Sequence, residues 1–197
     1  MNVRVLLVVA AGYLIGSISF AVLLVRLRYH KDIRTEGSGN AGATNVLRAH
    51  GKALAALVAV LDIAKGAVAV LLVRLVTANP RYAAAAGFLA VLGHVFPLYY
   101  SFRGGKGVAT AVGAFLALAP WAMLACLGVF AVVVAVTRYV SLGSVVMMAL
   151  LPLVAGLLHA PRSIVGGAAA TAVLVVLRHL ENLKRLASGQ ESRLGPR

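Results

Sequence analysis

Acidic side chains are nearly missing from this sequence. Asp32, Glu36, Asp62, Glu181 and Glu191 are the five among 197 residues, and no cluster of them offers the carboxylates of a metal cage. His30, His50, His94, His159 and His179 form no ligand pair at the usual spacing, so neither a metal nor another cofactor is expected. Cys126 is the single cysteine. No intramolecular disulfide or thiolate metal site can be built from it, and it says nothing about redox compartment. Charged residues make up 12% of the chain, about half the share of a soluble domain. No polar stretch is long enough to fold separately, so residues 1–197 are expected to form one domain. Alternating β-barrel strands are absent too. So is a basic helix interleaved with aromatics, which removes the main reason to expect nucleic acid.

What fills the chain instead is apolar. Hydrophobic residues reach 61% and mean hydropathy is +0.95, the composition of an integral membrane protein. Apolar runs cover residues 3–27, 53–76, 82–100, 108–119, 121–137, 142–158 and 163–180. Each should be helical, because no backbone group can stay unpaired in lipid. The first run could pass for a signal peptide, but its length suits a spanning helix better. The fourth is short and must sit upright, thin the bilayer or start inside the protein. The expected fold is all-α: a compact bundle of seven transmembrane helices.

Net charge is +14, and the cations gather at the ends of the runs. Fourteen of the nineteen Lys and Arg lie in or beside the connections 28–52, 101–107 and 138–141 and the tail from 181, which ends with Arg197. Four lie beside the alternate connections, and Lys65 lies within a span. The positive-inside rule then places the N-terminus outside, the C-terminus in the cytoplasm, and every conspicuous polar motif on the cytoplasmic side. Anionic substrates or lipid head groups are the partners this charge suits.

Three polar clusters lie on that side. Residues 34–52, RTEGSGNAGATNVLRAHGK, hold almost nothing that could build a core. Gly37, Ser38, Gly39 and Asn40 favour turns, and Val46 to Arg48 look like a helical turn entering the next span. Free N–H groups at such a junction attract anions; Ser38, Thr44 and the amides of Asn40 and Asn45 add neutral donors, and Arg48 adds a charged fork. A solvated loop whose cations only set topology is the plainer alternative. In the second cluster, Gly104, Gly105 and Gly107 surround Lys106 where a helix should begin. Backbone N–H groups plus a point charge can cradle phosphate, although the Walker A pattern is not met. A flexible hinge with a topological cation would look similar. The third cluster closes the last span, where helical spacing puts His179 and Asn182 on one face, with Glu191 beyond. An amphipathic tail lying on anionic lipid is its alternative.

Within the spans, Asp62 and Lys65 stand three apart and can pair, fixing their helix in the bundle. Gly12 and Gly16 form a small-xxx-small face for close helix packing. Pro97 should kink or end the third span, with His94 a packed, hydrogen-bonded group. Ser141 and Ser144 can cap the sixth helix or point a hydroxyl at the site.

GSGNAGATNVLR, LGHVFPLYYSFRGGKGVAT and RHLENLKRLASGQES, in this order and spacing, resemble the bacterial acyl-phosphate:glycerol-3-phosphate acyltransferases, the PlsY family. GSISF at 16–20, LDIAKG at 61–66 and SLGS at 141–144 agree with it, and the likeness runs to about Glu191. The resemblance implies a seven-helix enzyme of the bacterial inner membrane with its site facing the cytoplasm. It would move a fatty acyl group from acyl phosphate to the 1-hydroxyl of sn-glycerol 3-phosphate, giving lysophosphatidate and phosphate. By matched motif it implies Ser38, Arg48, Lys106, His179 and Asn182 as catalytic. Asn40, Thr44, Asn45, Gly104, Gly105, Gly107, Ser144 and Glu191 would bind substrate. No metal, cofactor or obligatory protein partner is implied.

The H-x-x-x-x-D pattern of other glycerolipid acyltransferases is absent, and so few acids allow no Ser-His-Asp triad. An acyl phosphate is already activated, so direct attack by the glycerol hydroxyl, without an acyl-enzyme, is the expected chemistry. A transporter for a phosphate-bearing anion is the rival class. It would call for broken helices at mid-bilayer and a polar path across, where only Asp62 and Lys65 are ionic at depth.

Overall fold

The computed structural model describes residues 3–195, so Arg197 lies outside the described residues. Ten α-helices and no strands occur among them: α1 (Val3–Gly16), α2 (Phe20–Tyr29), α3 (Ala43–His50), α4 (Lys52–Val76), α5 (Pro80–Val95), α6 (Val108–Leu118), α7 (Pro120–Thr137), α8 (Val140–Leu157), α9 (Arg162–Leu177) and α10 (Leu180–Ala187). Short 3-10 turns occur at Ile33–Thr35 and Leu98–Tyr100. By length and composition α4, α5 with its following turn, α7 and α8 can each cross a membrane. Two bent pairs, α1 with α2 and α9 with α10, raise the number to six, and α6 is a shorter apolar helix.

Four expectations change in detail. The first run is not one helix: it breaks at residues 17–19 and bends by 43°. The last run breaks at Arg178 and His179 and bends by 55°. Residues 46–48 do not run on into α4; they belong to α3, which Gly51 at φ 88° separates from α4, a backbone conformation that disfavours other residues. Nor is the first polar loop without a core. Ile33, Ala41 and Val46 are fully buried with Val22, Val25 and Val58 in a hydrophobic cluster, which pins the loop to α2 and α4. The third span ends at Val95, two residues before Pro97, as the restriction on residues preceding proline requires.

The helices form two compact units, residues 3–118 and 119–195. In the first, α4 packs on α5 and α6, and α1 packs on α4 and α5. Backbones meet where side chains vanish: a Cβ at Gly16 would overlap the carbonyl of Ala90, and one at Gly113 the carbonyl of Ile63. Close approach of this kind replaces the hydrophobic drive that lipid removes. In the second unit, α8 packs against both α7 and α9, and α10 lies on α8.

Candidate active site

In the first unit, the loop before α3 and the glycine-rich loop before α6 are held against each other. Asp32 caps the 3-10 turn Ile33–Thr35 and receives the Arg34 guanidinium on both oxygens, Nε at 3.0 Å to Oδ1 and Nη2 at 2.7 Å to Oδ2. Arg26 adds a third contact at 2.6 Å. The Arg34 hydrogen bonds, with help from Arg26, hold the Asp32 carboxyl far below its ordinary range despite the opposing effect of burial. Arg34 Nη1 donates to the carbonyl of Tyr100 at 2.9 Å, and both arginines lie 6.0 Å from that ring. Further along, Glu36 receives Lys31 at 3.2 Å and His50 at 2.6 Å. The Lys31 bond leads in drawing its carboxyl below the usual value.

Asn45 is buried and holds the turn around Ser38. Its amide donates to the carbonyls of Ile33 and Glu36, and its Oδ1 accepts from the Ser38 backbone N–H at 2.8 Å. Ser38 and Arg48 are exposed, while Asn40 and Thr44 are partly buried. In the second motif Gly104, Gly105 and Gly107 are buried, Lys106 is partly so, and α6 begins at Val108. Gly105 donates its N–H to the carbonyl of His94 at 3.1 Å. A Cβ there would overlap His94 Nε2 and crowd the carbonyl of Ala41 at 2.9 Å. Glycine is thus what lets the two loops touch. Apart from the Gly105 N–H, which His94 takes, the backbone N–H groups before α6 and Lys106 are of a kind that can hold an anion.

In the second unit, Glu191 is the hub. Its Oε1 accepts from Asn182 at 2.6 Å and Ser141 at 2.8 Å, and its Oε2 from Arg185 at 2.8 Å. Burial raises the Glu191 carboxyl, but these bonds together outweigh it and hold the group below its ordinary value. The hydroxyl that reaches this motif is that of Ser141; Ser144 instead bonds back to the carbonyl of Val140 at 2.8 Å. His179 stands at the N-cap position of α10, without a side-chain cap bond, so it and Asn182 do not share one continuous helical face. Its Nδ1 donates to the carbonyl of Val175 at 2.8 Å, which leaves the neutral ring's lone pair on Nε2.

Glu191→Gln replaces an acceptor that serves three donors by a group that accepts with one atom and donates with the other. We expect a loss of roughly 2 kcal/mol or more in stability, read as a lower thermal midpoint in detergent. The pH dependence has a definite sign. A carboxyl lowered by folding stabilises above its unfolded value, near 4.5, and the contribution fades as pH falls through the folded value. The variant should flatten that acid-side slope.

Sequence reasoning missed the Asp32–Arg34–Tyr100 clamp and the contact of His94 with Gly105. It did single out Asp62 and Lys65, which pair at 2.7 Å.

The glycerol-3-phosphate acyltransferase family profile matches residues 6–189. A glycerol-3-phosphate acyltransferase of Anaeromyxobacter sp. (strain K) is 47% identical over 193 residues, covering 95% of this chain and 96% of that one. Its counterpart in Halorhodospira halophila is 46% identical over 189 residues, covering 96% of each. The crystal structure of PlsY (YgiH), an integral membrane glycerol 3-phosphate acyltransferase, in its glycerol 3-phosphate form superposes with a TM-score of 0.93 at 37% identity, covering 98% of this chain and 96% of that one. Its lysophosphatidic acid form gives 0.91 at 36% identity over the same shares. With these likenesses running almost end to end, the chain belongs to the glycerol-3-phosphate acyltransferase family.

Proposed function

We propose that this protein transfers a fatty acyl group from acyl phosphate to the 1-hydroxyl of sn-glycerol 3-phosphate, releasing lysophosphatidate and phosphate. The observation that carries the reading is the packing of the glycine-rich loop onto the loop before α3. That packing sets the loop that carries Lys106 against the loop that carries Ser38 and Thr44, residue types that suit two phosphate-bearing substrates. The related PlsY was crystallised with glycerol 3-phosphate and with lysophosphatidic acid, which are the acceptor and product of this reaction.

The hydroxyl oxygen attacks the acyl carbonyl, the carbonyl carbon's bond to the phosphate oxygen breaks, and an ester forms. The hydroxyl proton passes to an oxygen of the departing phosphate, so no acyl-enzyme is needed. Arg48 and Lys106 neutralise phosphate charge as it grows, and Ser38 and Asn182 orient the reacting groups. His179, with its lone pair on Nε2, is the alternative proton acceptor. Asn40, Thr44, Gly104, Gly105, Gly107 and Ser144 contribute to substrate binding, while Asn45 and Glu191 act through the loops they hold.

The four long helices, the two bent pairs and α6 make seven spans. The N-terminus lies outside, and the site faces the cytoplasm of a bacterial inner membrane. Clustering of cations on that side supports the orientation. No protein partner is required.

Purified protein in detergent, with radiolabelled glycerol 3-phosphate, should form labelled lysophosphatidate from acyl phosphate and not from acyl-CoA. Equal use of acyl-CoA would overturn the donor assignment. Absence of acyl transfer with either donor, alongside uptake of anion into sealed vesicles, would favour transport.

A further inference from the structure

Beneath the glycine-rich loop lies a buried polar node that the proposed chemistry leaves unused. Lys65 sits midway along α4 and is almost wholly buried. Three groups surround its side-chain nitrogen: the carbonyl of Ile18 at 2.6 Å, Asp62 Oδ1 at 2.7 Å and His94 Nδ1 at 3.0 Å. An ion pair alone would fix α4, and Asp62 supplies it. The other two contacts reach further, to the break between α1 and α2 and to the C-terminal turn of α5.

Asp62 Oδ1 also lies 3.5 Å from His94 Nδ1, so the ion pair holds that one ring nitrogen from two sides. The other ring nitrogen, Nε2, is turned the opposite way. That edge of the ring faces Gly105, near enough that a Cβ there would overlap it. The carbonyl of the same residue accepts the Gly105 N–H at 3.1 Å, and a Cβ at Gly104 would overlap that carbonyl as well. His94 therefore touches the loop twice, through backbone and ring.

We propose that His94 is a positioning residue for the anion-binding loop of residues 104–107, with Lys65 and Asp62 holding its imidazole in the orientation that sets the loop. The inference rests on reading that loop as a phosphate cradle. A polar group at this depth needs partners whatever its role. A purely structural one would change the amount of folded protein without changing how tightly the folded protein holds phosphate.

Two isosteric variants separate the roles. His94→Asn keeps an acceptor near the Nδ1 position for Lys65 but deletes the edge that faces Gly105. His94→Gln places an amide nitrogen near the Nε2 position. Inorganic phosphate is the probe, read as its inhibition constant in the acyl-transfer assay and as its stabilisation of the purified protein against heat. We expect His94→Asn to weaken phosphate about tenfold, and His94→Gln to stay within about threefold of the parent, as loss and retention of one positioning contact would do. Parent-like phosphate affinity in both variants overturns the proposal, and so does equal weakening in both. Lys106→Ala serves as reference. If it too leaves phosphate affinity and turnover unchanged, the cradle reading itself fails. If it weakens phosphate while both His94 variants match the parent, only the positioning role is lost.

Discussion

Lys106→Ala should slow acyl transfer about 10² to 10³-fold while leaving the protein folded. A preorganised donor aimed at developing charge contributes about 3 kcal/mol of transition-state stabilisation, and a lysine at the start of α6 is the point charge in the proposed cradle. The substituted position lies outside the α6 helix and in the loop, partly exposed, so alanine costs little in packing. The check is a turnover measurement on protein whose thermal midpoint matches the parent. If charge alone matters, Lys106→Arg should recover part of the loss, less any penalty for its bulkier planar head. A near-parental rate in the alanine variant would remove the phosphate-loop assignment.

Gly113→Ala should have the largest effect on stability. The added Cβ would overlap the carbonyl of Ile63, a backbone atom that cannot rotate away. The α4–α6 pair would have to part along its length. Overpacking a core costs about 1–3 kcal/mol where side chains can yield. Here they cannot, so a loss above about 4 kcal/mol, or failure to fold, is expected. Gly128→Ala in α7 is the matched contrast, because a Cβ there meets nothing within 4 Å. Its expected effect is neutral or stabilising by up to about 1 kcal/mol, the helix propensity difference. Thermal unfolding of the two variants in one detergent decides the matter; similar midpoints would contradict the backbone-contact account of this bundle.

How far the fold could be read from sequence follows from what hydropathy measures. It registers side chains, so the apolar runs emerged near their observed ends. The breaks at residues 17–19 and at His179 change backbone direction inside or beside apolar sequence, and hydropathy does not register direction. Gly51 was visible as a glycine, but its role as the divider between α3 and α4 depends on a positive φ that composition does not announce. The buried cluster under the first loop escaped notice because its members there, Ile33, Ala41 and Val46, are isolated among polar neighbours.

The candidate site divides in the same way. Its glycines, amides and cations were legible because so few residue types suit anion binding. Asp62 and Lys65 were legible as a pair because three residues make almost one helical turn. Their further partners were not: Ile18 is 47 positions from Lys65, and His94 is 29. Asn45 was read as a substrate donor because of its motif. Its two amide hydrogens serve the carbonyls of Ile33 and Glu36, which only coordinates reveal.

The bend between α1 and α2 has a consequence for the interior of the bundle. A helix that changes course inside hydrocarbon leaves carbonyl oxygen to be solvated, and water is scarce there. Lys65 meets that need at Ile18 with a charged donor. The kink and the lysine are thus complementary defects, each tolerable because of the other. A chain that straightened its first span would leave the ammonium one acceptor short, and one that lost the ammonium would leave a carbonyl without its donor.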